Sequence, residues 1–324
     1  MMPLAKTWRE LPRTPFSRSS QKFPSTRLNE NEPSAPHATK GQQLTTAKPS
    51  PPLSSGAMAK ASAKRRVRPR REKIAAAQRR AIEGPLPDFV VIGTQKGGTS
   101  YFYRLLTKHP LVKRAAAKEL HFFDNEFVEG VGWYRRCFSE GKRVDGHRTI
   151  TGEASPSYLF DPQVPERMAQ VVPEARLIAL LRNPVDRAYS HYQMEVRRGK
   201  EARTFEQATQ EEMTSVEGQG NTVDVPHAYL RRGLYAEQLE RFSFFANRER
   251  LLVVKSENFF ARRLEILERV LRFLRLPPFE STLAPPAGRA TYEPMDPGTR
   301  RRLEGFFAPH NERLYNLLST DFGW

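Results

Sequence analysis

The sequence predicts an α/β fold in which a mainly parallel sheet carries helices on both faces. Three short apolar segments, at residues 88–93, 176–181 and 250–259, have the composition of buried strands. Helical patterns separate these segments along the chain. Strands that alternate with helices form parallel sheets, because each helix returns the chain to the same end of the sheet.

The first strand leads into a glycine-rich loop, "GTQKGGTS" at residues 93–100. A helix is predicted from about Thr99, with one apolar face made of Tyr101, Phe102, Leu105 and Leu106. It ends at His109-Pro110, since the residue before a proline disfavours the helical conformation. A strand, a glycine-rich loop and a helix in this order form a P-loop-like unit.

The second strand, residues 176–181, is followed at once by another helix. Asn183 is a good N-cap and Pro184 a good first helical residue. The helix extends to about Arg198, and Gly199 suits the position just beyond its end. Both strand-to-helix junctions are therefore expected at the carboxyl edge of the sheet, where ligands of such folds bind.

Three further helices complete the predicted fold. The last of them should break near Pro309, because proline removes a helical hydrogen bond. Their predicted bounds are about residues 228–245, 261–276 and 297–318.

The N-terminal part differs in composition from the rest. Residues 1–87 hold 18 Lys and Arg against 5 Asp and Glu, or +13, whereas the remainder holds 35 against 31, or +4. We expect residues 1–80 to be a disordered, basic, proline-rich tail, because they lack apolar residues to bury, and residues 86–324 to be the folded domain. The basic run at 64–71 suggests at most weak nucleic-acid contact, and Met58 is an alternative start.

The expected location is the cytoplasm. No stretch approaches the ~20 apolar residues that span a bilayer, and no apolar signal core is present near the N-terminus. The single cysteine, Cys137, cannot form an intramolecular disulfide. The alternative is the Golgi lumen or another organelle, if the tail is a targeting segment.

The loop has the residues of a phosphate site, but with unusual spacing. Its glycines let several backbone N–H groups meet one anion, and Thr99 and Ser100 add hydroxyls at the helix start. Lys96 precedes Gly97 and Gly98, whereas a nucleotide triphosphatase has its lysine after the last glycine. This order argues against a P-loop kinase or NTPase, which is kept as an alternative. A second alternative is a nucleic-acid-binding protein acting through the tail.

Several motifs together resemble the sulfotransferases that use 3′-phosphoadenosine 5′-phosphosulfate (PAPS), most closely the heparan-sulfate glucosaminyl type. The resemblance covers roughly residues 88–324. The matching segments are "GTQKGGTS" (93–100), "KELHFFD" (118–124), "LLRNPVDRAYSHY" (180–192), "GLYAEQLERF" (233–242) and "PHNERLYNLL" (309–318).

The resemblance implies roles at the reaction centre. Lys96 would contact the leaving 5′-phosphate, where a fixed cation favours the transition state. Glu119 would be the general base that takes the proton of the acceptor. His121, two residues on, would share a face with Glu119 if the segment is extended, and would bind it or the sulfuryl oxygens.

The resemblance also implies the residues that bind the nucleotide. Arg182 and Ser190 would hold the 3′-phosphate, and Gly288 and Arg289 would belong to a late loop that covers the nucleotide. The 5′ end would be bound by Lys96, Gly97, Gly98, Thr99 and Ser100. PAPS is thus the expected co-substrate, and no metal is expected, because no acidic or Cys/His cluster has suitable spacing.

The acceptor is less well defined by the sequence. Ala154 stands where heparan-sulfate enzymes often carry a lysine, and Ala287 replaces a lysine before Gly288. These departures favour another carbohydrate, a lipid or a small-molecule alcohol. The segments 125–150 and 199–228, expected to be irregular loops, would select the acceptor. The oligomeric state stays open.

Overall fold

The computed structural model describes residues 70–79, 83–218, 227–242, 249–279 and 292–324, and in them seven strands build two sheets. The strands are β1 (Phe89–Gly93), β2 (Val112–Arg114), β3 (Arg143–Val144), β4 (His147–Arg148), β5 (Ile150–Ala154), β6 (Arg176–Leu181) and β7 (Leu251–Lys255). The main sheet has the order β2-β5-β1-β6-β7, and all its pairs are parallel. Strands β3 and β4 form a separate antiparallel hairpin.

Helices cover the sheet and connect its strands. They are α1 (70–78), α2 (Thr99–Leu106), α3 (Gly130–Arg136), α4 (Val164–Val171), α5 (Pro184–Arg197), α6 (Phe205–Glu217), α7 (Tyr235–Arg241), α8 (Ser256–Ala261), α9 (Arg263–Phe273) and α10 (Pro297–Leu318).

Both faces of the sheet are buried, as β1 shows. Phe89 and Val91 point into an apolar cluster with residues of α2 and α9, and Val90 and Ile92 point into a second cluster with residues of α4 and α7. All four side chains are fully buried. The predicted α/β fold with helices on both faces is confirmed.

Three predicted element bounds are wrong. The third strand ends at Lys255, and the chain turns directly into α8. Between residues 228 and 242, the described part of the predicted helix holds a 3₁₀ turn (Arg231–Gly233) and α7. Helix α10 continues through Pro309 without a break. Its buried side chains, Leu303, Phe307, Asn311 and Leu314, hold it on both sides of the proline.

Several elements were not predicted. Strand β5 lies beside β1 in the sheet. Helix α6 crosses a segment expected to be irregular, and it begins with a capping box in which Thr204 and Gln207 bind each other's backbone N–H groups. The expected tail lies outside the described residues up to position 69. Helix α1 occupies residues 70–78 of that expected tail, and its Ile74 and Ala77 are buried.

Candidate active site

The loop that joins β1 to α2 lies across the ends of the neighbouring strands. Lys96 and Gly98 have positive φ angles of 72° and 90°. A Cβ atom on Gly97 would lie 2.6 Å from the carbonyl oxygen of Leu180 in β6, so only glycine fits there. Ser256 at the start of α8 donates a hydrogen bond of 2.7 Å to the carbonyl of Gly97. The neighbouring strands therefore hold the predicted phosphate loop in one shape.

The loop leads into α2 in the way that an anion site requires. Gly98 directly precedes α2, and Thr99 and Ser100 are its first residues. Thr99 is buried, whereas Ser100 is exposed. The free backbone N–H groups of the first helical turn favour an anion at this end.

Lys96 lies among cations. Its Nζ is 3.8 Å from Sδ of Met194 on α5, and no carboxylate pairs with it among the described residues. Burial, followed by the charges of Arg197 and Arg182, lowers the pKa of Lys96 to about 8. Arg198 and Arg187 act in the same direction. This concentration of positive charge is what a multiply charged anion would need.

Arg182 lies beside the phosphate loop. It follows the last residue of β6, and its Nη1 donates a hydrogen bond of 3.3 Å to the carbonyl oxygen of Lys96. Its own carbonyl oxygen accepts a hydrogen bond of 2.8 Å from the hydroxyl of Tyr235. The structure therefore brings Lys96 and Arg182 together, as the sequence predicted.

Ser190 lies on the side of α5 that faces this loop. It is 7% exposed. One helical turn later comes Met194, which contacts Lys96. Gly288 and Arg289, predicted to cover the nucleotide, lie outside the described residues.

The segment that carries Glu119 and His121 is bound to the end of β5. The backbone N–H of Glu119 donates to the carbonyl of Ala154 at 3.0 Å, and that of His121 donates to Oγ of Ser155 at 3.1 Å. Because β5 pairs with β1, this segment and the phosphate loop lie at the same edge of the sheet. The segment is not extended, since φ is 62° at Glu119 and 57° at His121.

Glu119 and His121 nevertheless meet. His121 Nε2 lies 3.8 Å from Oε2 of Glu119, and Lys118 forms an ion pair with the other carboxylate oxygen. Burial alone would raise the pKa of Glu119, but hydrogen bonding to His121 and the charge of Lys118 lower it to about 2. The carboxylate is thus ionised at neutral pH and able to accept a proton.

Asp124 fixes the other side of the imidazole. Its Oδ2 lies 3.0 Å from Nδ1 of His121, and Ser157 donates a hydrogen bond of 2.5 Å to the same oxygen. Burial would lower the pKa of His121, but Asp124 and Glu119 raise it to about 9. His121 is therefore a cation between two carboxylates at neutral pH, and sequence analysis had not assigned Asp124 this contact.

Beneath this segment lies a buried acid that the sequence analysis missed. Glu153 in β5 is fully buried and accepts hydrogen bonds from the hydroxyls of Tyr134 (2.8 Å), Tyr158 (3.0 Å) and Ser155 (2.7 Å). Burial raises its pKa. Ser155 links it to the backbone of His121, so Glu153 supports the segment from below. Little in the sequence signals this acid, because strand β5 (ITGEA) is not an apolar run.

A cavity of about 840 Å³ opens beside the site. Ser100 of the phosphate loop region and Lys118, the neighbour of Glu119, both line it. Its other charged lining residues are all basic: Lys73, Arg104 and Arg114. A cavity with this lining would attract an anionic molecule, although Glu119 and Lys96 themselves are not among its lining residues.

Within the described residues, no group of three or more His, Cys, Asp or Glu side chains is arranged to hold a metal ion. Asp124 is engaged by His121 and Ser157. Asp186, in the first turn of α5, forms an ion pair of 2.5 Å with Arg300.

Comparison with known proteins gives consistent matches. The sequence-family model of the sulfotransferase domain matches residues 86–296 of this chain. Human heparan sulfate glucosamine 3-O-sulfotransferase 5 is 31% identical over 266 residues, which cover 74% of each chain. Membrane-associated sulfotransferase kil1 of Dictyostelium discoideum is 25% identical, over 75% of this chain and 68% of its own. A crystal structure of a sulfotransferase from Alicyclobacillus acidocaldarius matches with a TM-score of 0.60 and 29% identity, over 74% of this chain and 98% of its own.

These relatives correct the predicted location. The cytoplasmic prediction is wrong, because a similar protein is a membrane-associated sulfotransferase. In the part of the chain that the structure describes, no helix has the length and apolar character to cross a membrane.

Proposed function

Because this chain belongs to the sulfotransferase family, we propose that it transfers a sulfuryl group from PAPS to a hydroxyl or amine of a carbohydrate acceptor. Family membership makes the protein a transferase and decides against the alternatives of a kinase or a nucleic-acid-binding protein. The donor, the acceptor and the roles of individual residues are the substance of the proposal.

The observation that carries the proposal is the position of Lys96. It lies at the carboxyl edge of the sheet in a glycine-rich loop, with Arg182 beside it and with no carboxylate partner among the described residues. PAPS carries phosphate groups at both the 5′ and the 3′ positions. A loop that presents backbone N–H groups and Lys96 suits the 5′ end, and Arg182 with Ser190 suits the 3′ end.

Two residues of the site would act on the two sides of the transferred sulfuryl group, one at the acceptor and one at the leaving phosphate. Glu119 takes the proton of the acceptor while the acceptor oxygen or nitrogen forms its bond to sulfur. Lys96 stabilises the negative charge that remains on the 5′-phosphate when the sulfur–oxygen bond breaks. Each product charge thus has a residue that accepts or balances it, and the proton ends on the Glu119 carboxyl.

His121 and Asp124 support Glu119 in this scheme. The protonated imidazole faces Glu119, and Asp124 holds its far nitrogen, so the carboxylate is held in one orientation. A carboxylate with a pKa of about 2 is a weak base. Its advantage is therefore position rather than basicity, since an ion fixed beside the reacting group needs no reorganisation.

The carbohydrate acceptor is proposed from the relatives and from the basic cavity. Human 3-O-sulfotransferase 5 is named for heparan sulfate, an anionic polysaccharide. The cavity beside Glu119 carries Lys73, Arg104, Arg114 and Lys118 and no acidic lining residue among those described. An acidic sugar chain would be attracted to such a lining, despite the absence of a lysine at position 154.

The proposal is tested by nucleotide binding. Isothermal titration of the full chain with 3′-phosphoadenosine 5′-phosphate, in buffer without divalent metal, should give saturable binding that Lys96→Ala and Arg182→Ala each weaken. Excess ATP with Mg²⁺ should compete poorly, because it lacks the 3′-phosphate. Absence of nucleotide binding, or equal binding of ATP with Mg²⁺, would contradict the assignment.

A further inference from the structure

We infer that Arg70, in a helix outside the matched sulfotransferase domain, is a positioning residue for Glu119. Nε of Arg70 donates to the carbonyl oxygen of Glu119, and Nη2 donates to that of Leu120, each at 2.5 Å. The matched domain begins at residue 86, so Arg70 lies 16 residues before it. The inference rests on the proposed role of Glu119 as general base.

The backbone that Arg70 holds is in an unfavourable conformation. Glu119 and His121 both have φ angles in the left-handed region, at 62° and 57°. This conformation is strained for a residue with a Cβ atom, so surrounding contacts must maintain it. Leu120 between them is fully buried, which leaves its carbonyl little access to water.

The planar guanidinium of Arg70 has the right shape to hold this backbone conformation. The planar group offers two parallel N–H donors, and they reach two successive carbonyl groups. A buried carbonyl without a hydrogen-bond partner destabilises the fold. The guanidinium therefore makes one orientation of the Glu119–Leu120 peptide favourable, and the Glu119 side chain leaves the backbone from that point.

Packing and hydrogen bonds hold helix α1 in place, so the position of Arg70 is fixed as well. Ile74 lies one turn after Arg70 on the same face and is buried in the cluster that contains Ala115 and Ala117. Gln78 donates a hydrogen bond of 2.9 Å to the carbonyl oxygen of Trp133 and accepts one of 2.8 Å from Arg136. These contacts fix α1 against α3 and the segment before Glu119.

The chain offers a matched control beside Arg70. Arg71 has the same charge and lies in the same helix, but its side chain is exposed. The substitutions Arg70→Ala and Arg71→Ala therefore remove the same charge from adjacent positions. Arg70→Lys keeps the charge but cannot bind two carbonyl groups side by side.

The first experiment measures sulfuryl transfer by the full chain. We expect Arg70→Ala and Arg70→Lys to lower kcat by about tenfold or more, since small displacements of a catalytic group have effects of this order. The KM for PAPS and the affinity for 3′-phosphoadenosine 5′-phosphate should stay unchanged, which also shows that the variants fold. Arg71→Ala should match the wild type.

A second measurement does not depend on turnover. His121 owes part of its raised pKa to Glu119, so displacement of Glu119 in Arg70→Ala should lower the pKa of His121 in an NMR titration, with His121→Gln used to assign its signals. Wild-type kcat and an unchanged His121 pKa in Arg70→Ala would overturn the inference. So would full activity in Arg70→Lys or an equal loss of activity in Arg71→Ala.

A failure of the proposed function can be told apart from a failure of this inference. If the wild type binds no nucleotide and transfers no sulfuryl group, the proposed function fails. The NMR titration then still decides whether Arg70 positions Glu119.

Discussion

Nε2 of His121 lies 3.8 Å from Oε2 of Glu119, although the backbone between them is not extended. The two side chains meet because both residues adopt left-handed conformations and both are bound to the end of β5. This pair sets the protonation state of the site. It keeps the carboxylate ionised and the imidazole protonated at neutral pH.

Replacing His121 with Gln should change the pH dependence of kcat/KM. In the proposed mechanism activity needs ionised Glu119, so activity is present above the pKa of that carboxyl and lost as the pH falls through it. In the wild type that pKa is about 2, below the usual assay range. Without His121 it should rise toward the ordinary value of ~4.3, and an acid limb should appear in rates measured from about pH 3.5 to 7. An unchanged acid side would contradict the coupling.

Lys118→Ala should separate acceptor binding from chemistry. Lys118 pairs with Glu119 and lines the basic cavity. Its loss should raise the KM for an anionic acceptor, while kcat at neutral pH should not fall, because Glu119 becomes a stronger base. Lys113→Ala removes the same charge from β2, outside the cavity lining, and serves as the control in steady-state kinetics with heparan sulfate oligosaccharides. A fall in kcat with unchanged KM would contradict this expectation.

Nucleotide affinity should depend on the titration of Lys96. Its pKa of about 8 means that the ammonium group is present at lower pH and lost as the pH rises through 8. The affinity for 3′-phosphoadenosine 5′-phosphate should therefore fall above that pH in the wild type. Lys96→Arg should bind with little pH dependence in the same range, since arginine stays charged, and should turn over slowly, because the guanidinium does not reproduce the point charge. Calorimetry across this pH range checks both, with Lys108→Arg as a control at an exposed lysine.

Gly97→Ala should abolish nucleotide binding. The added Cβ would lie 2.6 Å from the carbonyl oxygen of Leu180, so the phosphate loop must move. Gly305→Ala in α10 meets no atom within 4 Å and should raise the free energy of unfolding by about 0.5–1 kcal/mol, as expected inside a helix. Titration calorimetry measures the nucleotide binding of both variants, and thermal unfolding measures their stability. Normal binding by Gly97→Ala would show that the loop does not hold the nucleotide.

The parts of the fold that the sequence predicted share a local signal. Strands β1 and β6 are continuous apolar runs that are buried on both faces, and α5 begins with an N-cap asparagine and a proline whose effects are local. Strand β5 was not predicted because its sequence, ITGEA, is neither a continuous apolar run nor an apolar–polar alternation. The two tyrosine hydroxyls that stabilise its buried acid, Glu153, come from Tyr134, 19 residues earlier, and Tyr158, five residues later, and neither spacing is a known sequence pattern.

The residues of the candidate site likewise differ in whether a local sequence motif predicts them. Lys96, Arg182 and Glu119 stand in motifs that the sequence displays, and the structure places Lys96 beside Arg182. Arg70 and Asp124 depend on long-range packing or on a turn conformation that composition does not reveal. Arg70 in particular lies in a stretch that looked like a basic tail.

In the proposed mechanism, Glu119 takes the acceptor proton while Lys96 and Arg182 bind the nucleotide. The most direct test compares wild type and Glu119→Gln for labelled sulfuryl transfer from PAPS to heparan sulfate oligosaccharides and simple alcohols, together with binding of 3′-phosphoadenosine 5′-phosphate. We predict unchanged nucleotide binding and a loss of transfer of ~10²–10⁴-fold. Transfer by Glu119→Gln at the wild-type rate would contradict the claim.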